Sequence, residues 1–450
     1  MSTPRVLELL HWNDLHGRYD ALARLSARAR QIRETADHPV LLLDGGDVEE
    51  TSVRLSALTC GVAGWRMLGA AGVDAAVPGN GGLLRYGPDL LPRYAAGLGS
   101  PPVVCDLERD GETPAGAVPS RTLDAGDLRV GVVGITDFYP QYVDFGLTER
   151  GRVTAVRREA IRLRKDGADV VVLLSHAGIN HDRGLSWSLR GLVDVIVGGH
   201  THDLLVEGDR AQGLPIAQAG WNGEHLGRVR LEVDDDGVRV VALGVEPVPA
   251  DAPRDPAVLE ELTACERDLE RWLAEPVGAL HEPAPVGAPD SPAARLLLEA
   301  LLHHAPADLG VLIAVHVTEG LPAGEVTRGD VWHATSSPGN LTTATLTGAE
   351  VRQMLARGWS DDFRSHTSRV SRGRPFGALQ VIGVELDGGV VRVGGEPLAD
   401  DRTYRVTGSD LEFSVYGTLL DAPPEDLDIR VPAILPELLE SYLRSRPTAG

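Results

Sequence analysis

The chain is 450 residues long, more than one hydrophobic core ordinarily serves, so two domains are expected. Its 43 basic against 65 acidic residues leave a net charge of -22, which repels nucleic-acid backbone and anionic lipid and excludes a general DNA or RNA binder. With 43% hydrophobic and 24% charged residues, the composition is that of a folded globular protein and not of a disordered one.

The N-terminus, MSTPRVLELLHWNDLHG, shows no basic segment followed by an apolar stretch and a small-residue cleavage site. No apolar run approaches the roughly 18 to 20 residues needed to span a bilayer. The three cysteines, Cys60, Cys105 and Cys265, are far apart and free of CxxC spacing, which argues against a disulfide framework or a thiolate zinc site. A cytoplasmic protein without a membrane partner is the expectation.

Through the first half one pattern repeats: a short apolar run ends abruptly in polar residues. The runs are residues 6–10 before HWNDLHG, 40–43 before DGGD, 73–77 before PGN, 103–104 before CDLE, 130–135 before TD, 170–174 before SHAG and 193–197 before GGHTH. Continuous apolar runs bounded by Gly and polar turns read as strands buried on both faces, and intervening segments such as ALARLSARARQIRE and VRREAIRLRKDG have helical spacing. Alternating strands and helices predict an α/β layered domain over residues 1–249. Residues 250–275 read as a linker and connecting helix, with Asp255 as N-cap and Pro256 in the first turn. From residue 276 to 450 longer helices, such as 293–304 and 349–358, mix with hairpin-like strands including VELDGGVVRVGGEPL, which predicts a separate α+β domain.

The residues that carry chemistry follow the predicted strand ends. They are Asp14 and His16 in a D-x-H pair, Asp47 in GGD, Asn80 in GN, His176 in SH, and His200 and His202 in GHTH. In an open α/β sheet such ends converge on one crevice. A lone histidine after a strand is commonly structural, but seven such donors are hard to obtain from core packing, which gains nothing from buried polar groups without partners. Imidazole and carboxylate without thiolate suit Mn, Fe or Zn, and seven donors exceed what one tetrahedral ion uses. With Asp47 bridging, one ion takes Asp14, His16 and His202, and a second takes Asn80, His176 and His200. Two such ions can bind a phosphoryl group while a metal-bound hydroxide attacks phosphorus.

At this point the chain resembles the calcineurin-like metallophosphoesterases, in particular the two-domain bacterial 5'-nucleotidase and 2',3'-cyclic-nucleotide phosphodiesterase type. HWNDLHG, LLLDGGD, PGN, LLSHAG, VDVIVGGHTHDLL and PIAQAGWNGEHLGRV stand in the family's order, and the likeness continues through EPVGAL, LPAGEVTRGDVW, SSPGNLTTATLTGAEV and ALQVIGVELDGG. The resemblance implies a catalytic β-sandwich flanked by helices. It also implies a C-terminal domain that binds a nucleoside and rotates to present the phosphate to the metals.

Three departures from the family pattern stand out. Where the family reads GNHEFDYG this chain reads GNGGLLRYG, so Gly81 replaces the histidine that stabilises the transition state or protonates the leaving oxygen, a role worth about 10² to 10⁴ in rate. Arg85, His181 and His225 are the substitutes within reach of the motifs. The NGGGIR-like segment is IAVHVTEG here, with Thr318 nearest the substrate-binding arginine. Of the two aromatics that sandwich the base, Ala378 takes one position with Phe376 two residues earlier, and SVYGTLL offers Tyr416 for the other.

Other chemical-looking stretches have plainer readings. DDDG at 234–237 is a hairpin turn without the remaining ligands of a calcium loop, and GGVVRVGGEP is a hairpin without the Lys-Ser/Thr of a phosphate cradle. The expected function is a two-metal phosphoester hydrolase acting on a small phosphorylated, nucleotide-like substrate and not on polymeric nucleic acid. A phosphodiesterase with an atypical substrate and a catalytically weakened metal-containing binding protein are the alternatives.

Overall fold

The apolar runs of the first half become strands because alternate residues find different neighbours. In Val170–His176, the side chains of Val170, Val172 and Leu174 join a core between two sheets, whereas Val171 and Leu173 pack with Ala155, Val156 and Ala160 of the helix Arg152–Lys165. Burial on both faces is what an uninterrupted apolar strand requires. The computed structural model describes residues 4–287, 291–335, 337, 339–367 and 374–446, and its chain divides into two units, Met1–Leu269 and Glu270–Gly450. Ser336 and Pro338 of the SSPGN stretch lie outside the described residues.

The first unit is a sandwich of two sheets. One has five strands in the order Gly237–Pro247, His225–Asp234, Arg5–Trp12, Val40–Asp44, Ala75–Ala76, the last three parallel. The other has six, in the order Asp209–Ala211, Leu214–Ala217, Val195–Gly198, Val170–His176, Leu128–Thr136, Ser120–Ala125, of which the middle four are parallel. Leu7, Leu9, Leu41 and Leu43 of the first sheet meet Val130, Val132, Val195 and Val197 of the second in one core. Residues 103–104 are buried but pair only through an isolated bridge from Val103 to Val118, so this expected strand is absent as a regular element. DDDG closes the hairpin of His225–Asp234 with Gly237–Pro247, as its composition requires. Asp255 caps the helix Pro256–Leu273, its Oδ1 accepting from the Ala257 amide at 2.9 Å.

The second unit has a five-stranded mixed sheet in the order Leu379–Ile382, Leu309–Ile313, Thr403–Ser409, Asn340–Thr347, Asp428–Ile434. Helices Pro292–His304 and Leu435–Ser445 share one core cluster, and Gly348–Gly358 lies in another. Their starts are written locally. Thr327 with Asp330 and Thr347 with Glu350 form reciprocal capping boxes at the helices Arg328–Ala334 and Gly348–Gly358. Among the described residues no helix is long and apolar enough to cross a membrane.

Candidate metal centre

Parallel pairing points several strand ends of the first unit the same way, and the loops that leave them carry the seven donors. Asp14 and His16 follow Arg5–Trp12, Asp47 follows Val40–Asp44, and Asn80 opens the helix Asn80–Tyr86 after Ala75–Ala76. His176 ends its own strand, and His200 and His202 follow Val195–Gly198. The backbone there is bent into a conformation that side chains ordinarily avoid. Asp14, His16, Asp47, His200 and His202 have φ of 53°, 46°, 55°, 78° and 60°. Non-glycine residues in the left-handed region cost about 1 to 3 kcal/mol each and cluster where a site over-determines them.

The side chains converge on two adjoining groups, Asp14 with His16 and His202, and Asp14 with Asp47 and His176. His16 Nε2 lies 3.0 Å from His202 Nε2, and Asp14 Oδ1 lies 3.6 Å and 3.3 Å from them. Donors bound at about 2.0 to 2.2 Å to one ion stand about 3 to 3.5 Å apart, so this triangle has the dimensions of a ligand face. His176 Nε2 is 3.4 Å from Asp47 Oδ2, and His200 Nδ1 is 2.8 Å from Asn80 Oδ1. Asp14 belongs to both acid–histidine groups. Asp47, expected as the bridge, turns Oδ1 to the Gly81 amide at 2.8 Å and Oδ2 to His176.

Two atoms decide the fit to a cation. Asp14 Oδ1 and His176 Nε2 are buried without a hydrogen-bond partner, an arrangement that costs free energy unless something else is bound there. Their other atoms are fixed. Asp14 Oδ2 accepts from Asn13 Nδ2 at 2.7 Å and from the His200 amide at 2.9 Å, while His176 Nδ1 lies 2.7 Å from the Gly45 carbonyl. Nδ1 therefore donates to that carbonyl, and Nε2 is the atom a neutral imidazole would offer to a metal ion. Burial works against ionising either Asp47 or His176, yet their mutual attraction wins, holding Asp47 below the usual carboxylate range and His176 above the usual imidazole one. Burial and the neighbouring His176 depress His200, whereas the Asp14 carboxylate beside it raises His202.

The family model for Calcineurin-like phosphoesterase matches residues 7–204, and that for 5'-nucleotidase, C-terminal domain, matches residues 277–416. The chain belongs to the calcineurin-like phosphoesterases that carry a 5'-nucleotidase C-terminal domain. Calcineurin-like phosphoesterases are divalent-metal-binding hydrolases of phosphoesters, and the donor set just described suits that chemistry. The chain is 26% identical to the uncharacterized metallophosphoesterase YunD of Bacillus subtilis, over 90% of this chain and 92% of that protein. It is 25% identical to the trifunctional nucleotide phosphoesterase protein YfkN of the same organism, over 79% of this chain but 28% of that protein. The crystal structure of a 5'-nucleotidase precursor from Thermus thermophilus shares the fold with a TM-score of 0.55 at 21% identity, covering 98% of this chain and 96% of that one.

None of the residues read as substitutes for the family histidine is a member of the two acid–histidine groups. His181 is exposed and its Nδ1 accepts from Arg152, which also donates to Asp137, the carboxylate beside His200. His225 opens its strand and is in neither ligand group; its Nδ1 is buried without a partner. Arg85 sits in the last turn of the helix that Asn80 opens.

Unit 2 corrects the expected stacking residues in part. Phe376 is 0% exposed, packed in the core with ring centroids 5.3 Å from Phe363 and 4.9 Å from His366, so it has no free face to offer. Tyr416, 64% exposed in the short turn Val415–Gly417, has one. Thr318 donates its hydroxyl to the His333 carbonyl at 2.6 Å. The sequence reading missed three residues around the metal centre. Asn13 braces Asp14 and the Gly220 carbonyl, Asp137 lies 3.5 Å from His200 Nε2, and Trp221 stacks on His202 with centroids 4.9 Å apart. Asp137 follows a strand end, the same signal that found the ligands.

Proposed function

We propose that this protein is a two-metal phosphoester hydrolase acting on a nucleotide or a similar small phosphate ester. The observation that carries the reading is the pair of orphaned atoms, Asp14 Oδ1 and His176 Nε2, inside a ring of donors at ligand spacing. Asp14, His16 and His202 would hold one divalent cation, of Mn, Fe or Zn type, and Asp47, Asn80, His176 and His200 the other. Such cations, when bound, polarise phosphoryl oxygens and draw a nucleophile from water at neutral pH.

The chain's own residues set the rest of the chemistry. Asn13 and the Gly45 carbonyl fix the orientation of Asp14 and His176, which removes reorganisation from the reaction. Gly81 brings an amide and no imidazole to the centre, so this position supplies no proton for the leaving oxygen. That favours esters whose leaving group departs with little protonation, and it supports phosphodiester or aryl ester turnover over an ordinary 5'-nucleotide. The same glycine, with Thr318 in place of the arginine, supports a second reading, a metal-containing protein that binds a phosphorylated ligand with weakened turnover.

The test is phosphate or alcohol release by manganese-loaded protein across nucleoside monophosphates, cyclic nucleotides and aryl mono- and diesters, with chelator-stripped and reloaded samples alongside. Turnover lost on stripping and regained on reloading is expected. A protein that retains the metal but turns over none of these esters is the binding protein of the second reading.

A further inference from the structure

We infer that Trp221 is the platform on which the substrate's leaving group lies, so that the metal centre selects phosphoesters whose leaving group is a flat aromatic ring. The inference rests on the phosphoester reading above and adds the substrate class. Trp221 is a large aromatic left 45% exposed beside a buried polar centre. Its ring lies 4.9 Å from that of His202 and 16° from parallel, so one face is taken by a candidate ligand while the residue as a whole stays 45% exposed.

The ring is held in place by the ligand loop itself. The Asn222 amide donates to the Asp14 carbonyl at 2.8 Å, and the Gly220 carbonyl accepts from Asn13 Nδ2 at 2.6 Å. Gly220 and Asn222, with φ of 76° and 56°, bend the chain on either side of Trp221. The backbone is thus pinned before and after Trp221 to Asn13 and Asp14. Leu204, 41% exposed, lies beside Gly220, the residue before Trp221. A rigid aromatic with an open face binds a second ring at low entropic cost. Of the two residues read as stacking residues in unit 2, Phe376 is enclosed in its core and Tyr416 is exposed.

The experiment measures binding of phenylphosphonate and of methylphosphonate to the manganese-loaded full chain by calorimetry, for wild type, Trp221→Leu and Trp221→Phe, with manganese affinity titrated in parallel. Stacking on one aromatic residue is worth about tenfold in affinity, so wild type should prefer the phenyl ligand. Trp221→Leu should lower the phenyl-to-methyl ratio by about that factor, and Trp221→Phe by less. A ratio unmoved in Trp221→Leu, or no phenyl preference in wild type, overturns the inference. So does a parallel loss of both ligands together with manganese affinity, which would make Trp221 a shield for His202 only. These readouts need no turnover, so failure of the hydrolase reading, seen as metal retained without ester cleavage, is distinguishable from failure of this one.

Discussion

His176 in the first unit and His316 in the second are both almost wholly buried, yet their surroundings differ in kind. His316 has both ring nitrogens engaged: Nδ1 lies 2.6 Å from Ser337 Oγ, and Nε2 lies 3.1 Å from Ser409 Oγ and 3.2 Å from Glu412 Oε1. Glu412 is in turn held by the amides of Ile313 and Ser409, each at 2.7 Å. His176 has one nitrogen on a carbonyl and the other without a hydrogen bond, in loops whose acids and histidines are bent into left-handed backbone. A buried polar network that closes on itself is structural, whereas one that stops at an open donor set leaves room for a ligand. His316 lies in IAVHVTEG, the stretch that the sequence resemblance sets against the family's substrate segment, and the closed network holds it there.

The sharpest way to break this contrast is to remove one member from each side. Asp47→Asn should lower turnover by on the order of 10³-fold, because metal-ion charge stabilisation is worth several kcal/mol in the transition state. Manganese affinity measured by calorimetry should fall with it. Glu412→Ala should instead leave manganese affinity unchanged and destabilise the second unit by about 2 to 5 kcal/mol, since it strands the buried Ile313 and Ser409 amides. Denaturant unfolding checks it. If Glu412→Ala costs activity without stability, the His316 network is not the structural device argued here.

The strand-end positions of the seven candidate donors were legible because polar residues close each apolar run, and parallel strands bring five of them, Asp14, His16, Asp47, His176 and His202, into the two groups. Sheet order was not legible, since runs buried on both faces fit any interior position. His181 stands five residues beyond His176, near enough to suggest a role, but Arg152 from another helix takes its Nδ1. Phe376 and Tyr416 look alike in sequence, and only the packing of Phe363 and His366 on one of them separates core from surface. Trp221 escaped notice because its stack on His202 spans two loops joined by hydrogen bonds that no periodicity encodes.

The loop at Gly79–Gly81 tests how far the centre is ready for a proton donor. A Cβ on Gly81 would lie 3.1 Å from Asp47 Oδ1, close enough to enter the centre and loose enough to be accommodated by a small shift of a side chain. Gly81→His should therefore raise the rate on esters with poor leaving groups by on the order of 10²-fold, with little change for nitrophenyl esters. Steady-state rates on the two ester classes decide it, and no gain on either would favour the weakened binding protein. Gly79→Ala is the opposing control. Its Cβ would clash with the Asp47 carboxylate and amide, so metal affinity should be lost.

The smallest effect lies in the acid dependence of the second unit. Burial raises the pKa of Glu412, but His316 and the bonds from Ser409 and Ile313 more than offset it and hold the carboxyl below its usual value. A carboxylate depressed in the folded state stabilises it at every pH above the unfolded value of about 4.3, and that contribution is lost as pH falls through the folded value. Unfolding free energy should therefore decline below about pH 4.3 with a slope of at most about 1.4 kcal/mol per pH unit from this one proton. Glu412→Gln, which keeps an acceptor without the charge, should flatten that part of the profile. An unchanged slope in the variant would mean that the carboxylate titrates alike folded and unfolded, and the closed network would then owe its stability to hydrogen bonds and not to charge.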